Sequence, residues 1–148
     1  MPRVTSASFF ICERVLIEKD DINSAIRIVE LFNLPAGPPP PGMPPLDQVA
    51  VWMTVVGILK FDSWDAESHT LQVQLVRPDG ESVFAGPPSV FEIATPSAAP
   101  NFPPGINFLS TTGVFARQMG LHYFVLFFDG IEVARAPFAL RVGEQVTA

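Results

Sequence analysis

Residues 121–142 read LHYFVLFFDGIEVARAPFALRV. Asp129-Gly130 stands between two apolar runs and has the composition of a two-residue type I′ turn. Both central residues of that turn take positive φ, which Asp and Gly accept at low cost. Such a turn sets Phe128 opposite Ile131, Phe127 opposite Glu132, Leu126 opposite Val133 and Val125 opposite Ala134. Alternation then places His122, Phe124, Leu126 and Phe128 on one face, and Tyr123, Val125 and Phe127 on the other. Both faces are apolar, so the hairpin belongs inside a sheet, packed on one side and at least partly covered on the other. Pro137 cannot donate to a ladder and predicts a bulge or an edge-facing position. Arg135, opposite Phe124 in an unbroken ladder, would point inward, and a bulge within 134–137 turns it out.

Working outward from this hairpin, the other apolar runs are short and mostly extended. Residues 4–13 alternate Ala7, Phe9 and Ile11 against Phe10 and Cys12, and a second apolar piece, 15–17, ends in an acidic turn at 18–21. Residues 22–34 admit two readings. Ile22, Ile26, Val29 and Phe32 have helical spacing, with Asp20 or Asp21 as N-cap, while Ile26, Ile28 and Phe32 alternate as in a strand. The strand is preferred because every other element is one. Residues 36–45 hold six prolines and cannot be helix interior or central strand. They form either a stiff crossing between sheets or a proline-rich ligand for a partner's aromatic groove.

Residues 48–61 are apolar on both faces, Val49, Val51, Met53 and Val55 against Ala50, Trp52, Val56 and Ile58, and belong in mid-sheet. Leu71, Val73 and Leu75 alternate with Gln72 and Gln74, so one face there is wet. Pro78-Asp79-Gly80 turns that strand back into 81–85, and further strands are expected at 90–94 and 106–115. Seven to nine short strands with turn signals between them describe a single antiparallel β-sandwich domain over 1–148.

Composition narrows the function classes. A chain of 148 residues buries about 70% of its unfolded surface, and 13 Phe supply an ample core. Formal charge is −6 and the nine basic residues are scattered, so the concentrated basic stripe that nucleic acid requires is missing. Cys12 is the single cysteine, which excludes an internal disulfide framework. The first apolar run is too short for a signal peptide, and no run approaches the ~18 apolar residues of a membrane span. A cytoplasmic location is the resulting expectation.

Few residues invite chemistry. Asp62, Asp65, Glu67 and His69 lie close together, and on an extended strand Asp65, Glu67 and His69 share a face able to hold a divalent ion. The plainer reading is a solvated connection between strands. His122, on an apolar face, reads as a core histidine bonded to backbone rather than a base. Cys12 lacks the electropositive surroundings of a nucleophile. Trp52 lies in an apolar strand and reads as core, leaving Trp64, in the polar loop, as the candidate ligand contact. No nucleophile elbow, phosphate loop, dinucleotide fingerprint or Cys-x-x-Cys pair occurs, so no catalytic residue and no cofactor is expected.

The combination of FFICE (9–13), INSAIRIV (22–29), a proline-rich crossing, RPDG (77–80), GLHYFVLFFDG (120–130) and APFAL (136–140) resembles a family of small bacterial proteins of unknown function. The resemblance implies an immunoglobulin-like sandwich and no particular activity. His122 departs from the pattern, which more often has tyrosine two residues after the glycine. Two functions of different class fit these observations. One is a non-catalytic module that self-associates, or binds another protein, through the face carrying Tyr123, Val125 and Phe127. The other is a carbohydrate- or metal-binding domain that uses residues 62–69 and Trp64.

Overall fold

Alternating apolar side chains carry the chain through ten described strands: β1 (Val4–Ile17), β2 (Asn23–Ile28), β3 (Leu31–Leu34), β4 (Ala50–Phe61), β5 (Asp65–Val76), β6 (Ser82–Phe84), β7 (Ser89–Ile93), β8 (Gly105–Phe115), β9 (Gly120–Phe128) and β10 (Ile131–Val142). The structure is a computed structural model and describes residues 2–17, 23–28, 30–34, 41–42, 45, 48–93 and 104–143. The expected fold, an all-β sandwich, is what forms. One sheet has the order β2-β1-β4-β8, and the other β3-β10-β9-β5-β6 with β7 also on β5. The count exceeds the seven to nine expected, partly because residues 22–34 make two strands in different sheets. Pairing is antiparallel except between β3 and β10. The proline-rich segment expected at 36–45 lies mostly outside the described residues. Among the described residues no helix is long and apolar enough to cross a membrane.

The turn of the β9–β10 hairpin forms as its sequence requires, with φ of +48° at Asp129 and +79° at Gly130. Phe128 pairs with Ile131 and Phe127 with Glu132, and then the register shifts between Glu132 and Ala134. Leu126 therefore faces Ala134 and Val125 faces Arg135, one residue later than an unbroken ladder predicts. The bulge falls at Val133, ahead of the expected 134–137, yet it has the expected effect. It turns Ala136, Phe138 and Leu140 into the core and leaves Arg135 exposed. Pro137 sits where β10 is still an edge, since β3 joins only at Ala139.

The core lies between the sheets. Phe124, Leu126 and Phe128 of β9 meet Met53, Val55 and Leu59 of β4 from the opposite sheet. Phe138 stacks on Phe124 with ring centroids 5.1 Å apart and takes the edge of Phe32 at 6.1 Å. At Gly57 the sheets approach closely: a Cβ there would lie 3.3 Å from Leu126 Cδ2. β4 is central in its sheet, as its two apolar faces predicted, but those faces have different fates.

Candidate functional site

The four residues expected to share a metal do not converge. A register shift between Asp65 and Ser68 breaks the alternation of β5, leaving Glu67 exposed while His69 is buried. Asp62 accepts from the Arg3 amide at 2.8 Å and from the Ser63 hydroxyl at 3.2 Å. His69 has one carboxylate on each ring nitrogen: Asp129 Oδ2 lies 2.6 Å from Nδ1 and Asp65 Oδ2 lies 2.9 Å from Nε2. A carboxylate on each ring nitrogen favours the imidazolium, in which both nitrogens donate and neither keeps a lone pair for a metal. Among the described residues no group of three or more His, Cys, Asp or Glu side chains is placed to hold a metal ion.

Electrostatics follow that geometry. The hydrogen bond to Asp129 raises the His69 pKa, opposed by desolvation and reinforced by Asp65. Asp65 is held below the ordinary carboxylate range first by the Glu67 amide and then by His69. For Asp129, burial works against ionisation, and the bonds from His69 and the Thr70 amide outweigh it. Asp129 thus does more than supply a positive φ. Its second oxygen accepts from the Thr70 N–H at 2.9 Å, its own N–H donates to the Thr70 carbonyl at 2.9 Å, and the hairpin tip is tied to β5. His69 stacks on Phe128 at 5.2 Å within the same knot. Nothing in the spacing of residues 62–69 pointed to Asp129, some 60 positions away.

The outward face of the hairpin is less open than its composition suggested. Val125, the expected centre of an interface, is 1% exposed within the single chain, while Tyr123 and Phe127 are half-buried. Gln74 and Arg135 flank Val125 on the neighbouring strands. The Arg135 guanidinium lies 5.8 Å from the Tyr123 ring centroid and is bonded to Glu132. Long polar side chains of its own sheet thereby surround that valine.

The tryptophans exchange the places expected of them. Trp64 packs against the core cluster, whereas Trp52, read as core, is 67% exposed on the outer face of β4. Trp52 pairs with Gly113 of β8, and its ring lies across that glycine, where a Cβ would sit 3.3 Å from two ring carbons. On the same face of β8, Phe115 opposite Ala50 is 43% exposed, and Leu109, further along opposite Val56, is 39% exposed. An unbranched glycine opposite a tryptophan was the available signal, legible only once β4 and β8 were known to pair. His122 and Cys12 match their plainer readings. His122 is buried, with Nδ1 donating to the Gly120 carbonyl at 2.9 Å, and burial lowers its pKa. Cys12 is buried and desolvation raises its thiol pKa.

Comparison with known proteins adds family membership and little chemistry. A solved alkylpurine DNA glycosylase, AlkC of Pseudomonas fluorescens bound to DNA containing an abasic site analog, is similar over 62% of this chain. The match covers 26% of that protein, at 15% identity and a TM-score of 0.40. No curated protein matches the chain. The model of DUF6941, a family of unknown function, matches residues 8–141, and the chain belongs to that family.

Proposed function

We propose that this protein is a non-catalytic interaction module with an immunoglobulin-like sandwich, which self-associates through the outer face of β4 and β8 rather than that of the hairpin. The observation that carries this reading is Trp52, 67% exposed on a central strand and braced on Gly113. Phe115 lies on the same face of β8 with Leu109 further along it, and next along β4 Thr54 and Val56 are already buried. A large exposed aromatic seated on a glycine of the neighbouring strand is a usual kind of anchor for a protein contact.

A second copy is the favoured partner because of the neighbouring edge. β8 runs eleven residues, GINFLSTTGVF, without a charge or a proline, and among the described residues it pairs with β4 alone. Sheet edges are ordinarily blunted by charge, proline or shortness. At the far edges of the other sheet β3 has four residues and β6 three; β8 has none of these protections. An antiparallel edge is complementary to itself about a two-fold axis, which a homodimer supplies.

Light scattering after size exclusion tests the reading. The unmodified chain should run as a dimer at tens of micromolar, and Trp52→Lys as a folded monomer that still melts cooperatively, at a midpoint lower only by the lost association. A monomeric unmodified chain at that concentration, or a Trp52→Lys variant that stays dimeric, overturns it.

A further inference from the structure

The outer face of the six-stranded sheet carries a hollow on β5. Thr70, Gln72 and Gln74 project outward there, opposite in direction to the buried Leu71, Val73 and Leu75. A phenylalanine stands across from each glutamine: Phe127 of β9 pairs with Gln72, and Phe84 of β6 pairs with Gln74. On the far side of β5, β6 reaches Gln74 and β7 reaches Leu71, so neither pairs with Gln72. Gly86-Pro87-Pro88 lies in the interval, where proline offers no ladder donor. The hairpin tip contributes only Gly130, which has no side chain. These missing neighbours leave a hollow of about 160 Å³ lined by Thr70, Gln72, Gln74, Phe84, Phe127 and Gly130.

Its polar groups are within reach of a ligand. Gln72 and Gln74 are half-buried, and neither amide hydrogen-bonds to another described residue. Thr70 is already engaged, since its hydroxyl bonds to Asp129. The carboxylates nearby are engaged as well: Asp129 holds His69, and Glu132, across from Phe127, holds Arg135. No charged residue lines the hollow. An amide both donates and accepts, as a hydroxyl does. Residues two apart on a strand stand about 7 Å from one another, comparable to the breadth of a sugar ring with its hydroxyls. A charged ligand would find no counter-ion here. A wholly apolar one would strip water from both amides and replace none of its hydrogen bonds.

We propose that this hollow binds one neutral pyranose ring, its hydroxyls exchanging hydrogen bonds with the Gln72 and Gln74 amides and its C–H faces packed on Phe84 and Phe127. Aromatic walls with a few placed polar groups are the common make of a small-ligand site. The volume is below the roughly 300–1,000 Å³ of a drug-sized cleft, so the site takes a single ring and binds it weakly, in the millimolar range. The same ring is offered by a free monosaccharide and by a unit within a glucan chain, and the hollow is assigned to the single ring. It lies on the opposite sheet from Trp52, so sugar binding is read on the chain in either oligomeric state.

The experiment is an amide-shift titration of the intact protein with the methyl glycosides of glucose, galactose and mannose. Glycerol, the matching uronic acids and cellotetraose are the comparison ligands. At least one methyl glycoside should shift the amides of residues 70–74, 84 and 127 and saturate, with the same shifts in Trp52→Lys. Glycerol, which has hydroxyls and no ring, should not saturate. The uronic acid of the bound sugar should bind several-fold more weakly, because its charge has no partner. Cellotetraose should bind no more tightly than the best methyl glycoside. Gln72→Leu keeps the stem and removes the amide, and should abolish saturation while the rest of the amide spectrum stays that of the folded protein. Phe84→Ala, at the exposed edge, should weaken binding several-fold. No saturating shift from any of the three glycosides, shifts confined to other residues, saturation by glycerol, or unchanged binding by Gln72→Leu or by Phe84→Ala overturns the proposal. Equal or tighter binding of the uronic acid overturns the neutral ligand, and tighter binding of cellotetraose overturns the single ring.

Discussion

Two outward sheet faces with similar apolar content have opposite exposure. On the hairpin, Tyr123, Val125 and Phe127 look like a surface patch, yet Val125 is sealed. On β4 and β8, Trp52 looks like core, yet it stands in solvent. The difference lies in the strands alongside. Val125 has Gln74 on one side and Arg135 on the other, long side chains that spread over a valine. Trp52 has Gly113, which has no side chain to spread, and β8 beyond it is an edge. Exposure on an open sheet face is decided by the cross-strand neighbour more than by the residue itself.

The largest effect expected from that contrast is on stability at Val125. Val125→Lys places an ammonium among buried neighbours and opposite Arg135, and should cost about 2–4 kcal/mol by chemical denaturation. Trp52→Lys, on an open surface, should change the stability of the folded monomer by less than about 0.5 kcal/mol. Equal costs at the two positions would erase the distinction between the faces.

Much of the fold was readable and the exceptions have physical causes. The turn at Asp129-Gly130 was legible because positive φ at two consecutive residues restricts composition locally. The even-numbered face of β9 was legible because alternation is local too. The bulge was foreseen from Arg135 and Pro137 but misplaced, since either residue is turned outward by an extra residue anywhere before it. Strand was correctly preferred over helix at 22–34, although the split into β2 and β3 depends on which sheet each half finds. The candidate site was much less legible. The Asp129 partner of His69 and the Gly113 partner of Trp52 come from distant parts of the chain, and one sequence does not state which strands are neighbours.

The His69 knot sharpens the comparison at the tip of the same hairpin. Its raised pKa means that His69 contributes stability fully below its ordinary pKa of about 6.5, a contribution lost as pH rises through the folded value. Asp65 and Asp129, with depressed pKa values, contribute fully above about 4 and lose that contribution as pH falls through theirs. His122 acts in the opposite sense: held neutral by burial, it penalises the fold as pH drops below about 6.5. The difference between the unmodified chain and His69→Asn cancels the His122 contribution. That difference should be about 1–3 kcal/mol near pH 5.5, where two carboxylates lose their cation, and should shrink as pH rises past neutrality. A pH-independent difference would mean that His69 acts by packing on Phe128 alone.

The smallest effects come from adding one methyl group on either side of the same sheet. At Gly57 a Cβ would meet Leu126 Cδ2 at 3.3 Å, and Leu126 is fully buried between the sheets. Leu126 has no free space to move into, so Gly57→Ala should cost about 1–2 kcal/mol by overpacking. At Gly113 the clash is equally close, 3.3 Å to two ring carbons of Trp52. That ring, however, is two-thirds in solvent and can lift by a few tenths of an ångström. Gly113 does not have positive φ, so alanine also restricts the unfolded chain without straining the strand, a gain that offsets the displaced ring. Gly113→Ala should therefore leave stability within about 0.5 kcal/mol while altering the environment, and hence the fluorescence, of Trp52. The same lifted ring should weaken self-association through this face several-fold, read by dilution in light scattering. Unchanged fluorescence and association together would show that Trp52 is not seated on Gly113, and the apolar face would lose its anchor.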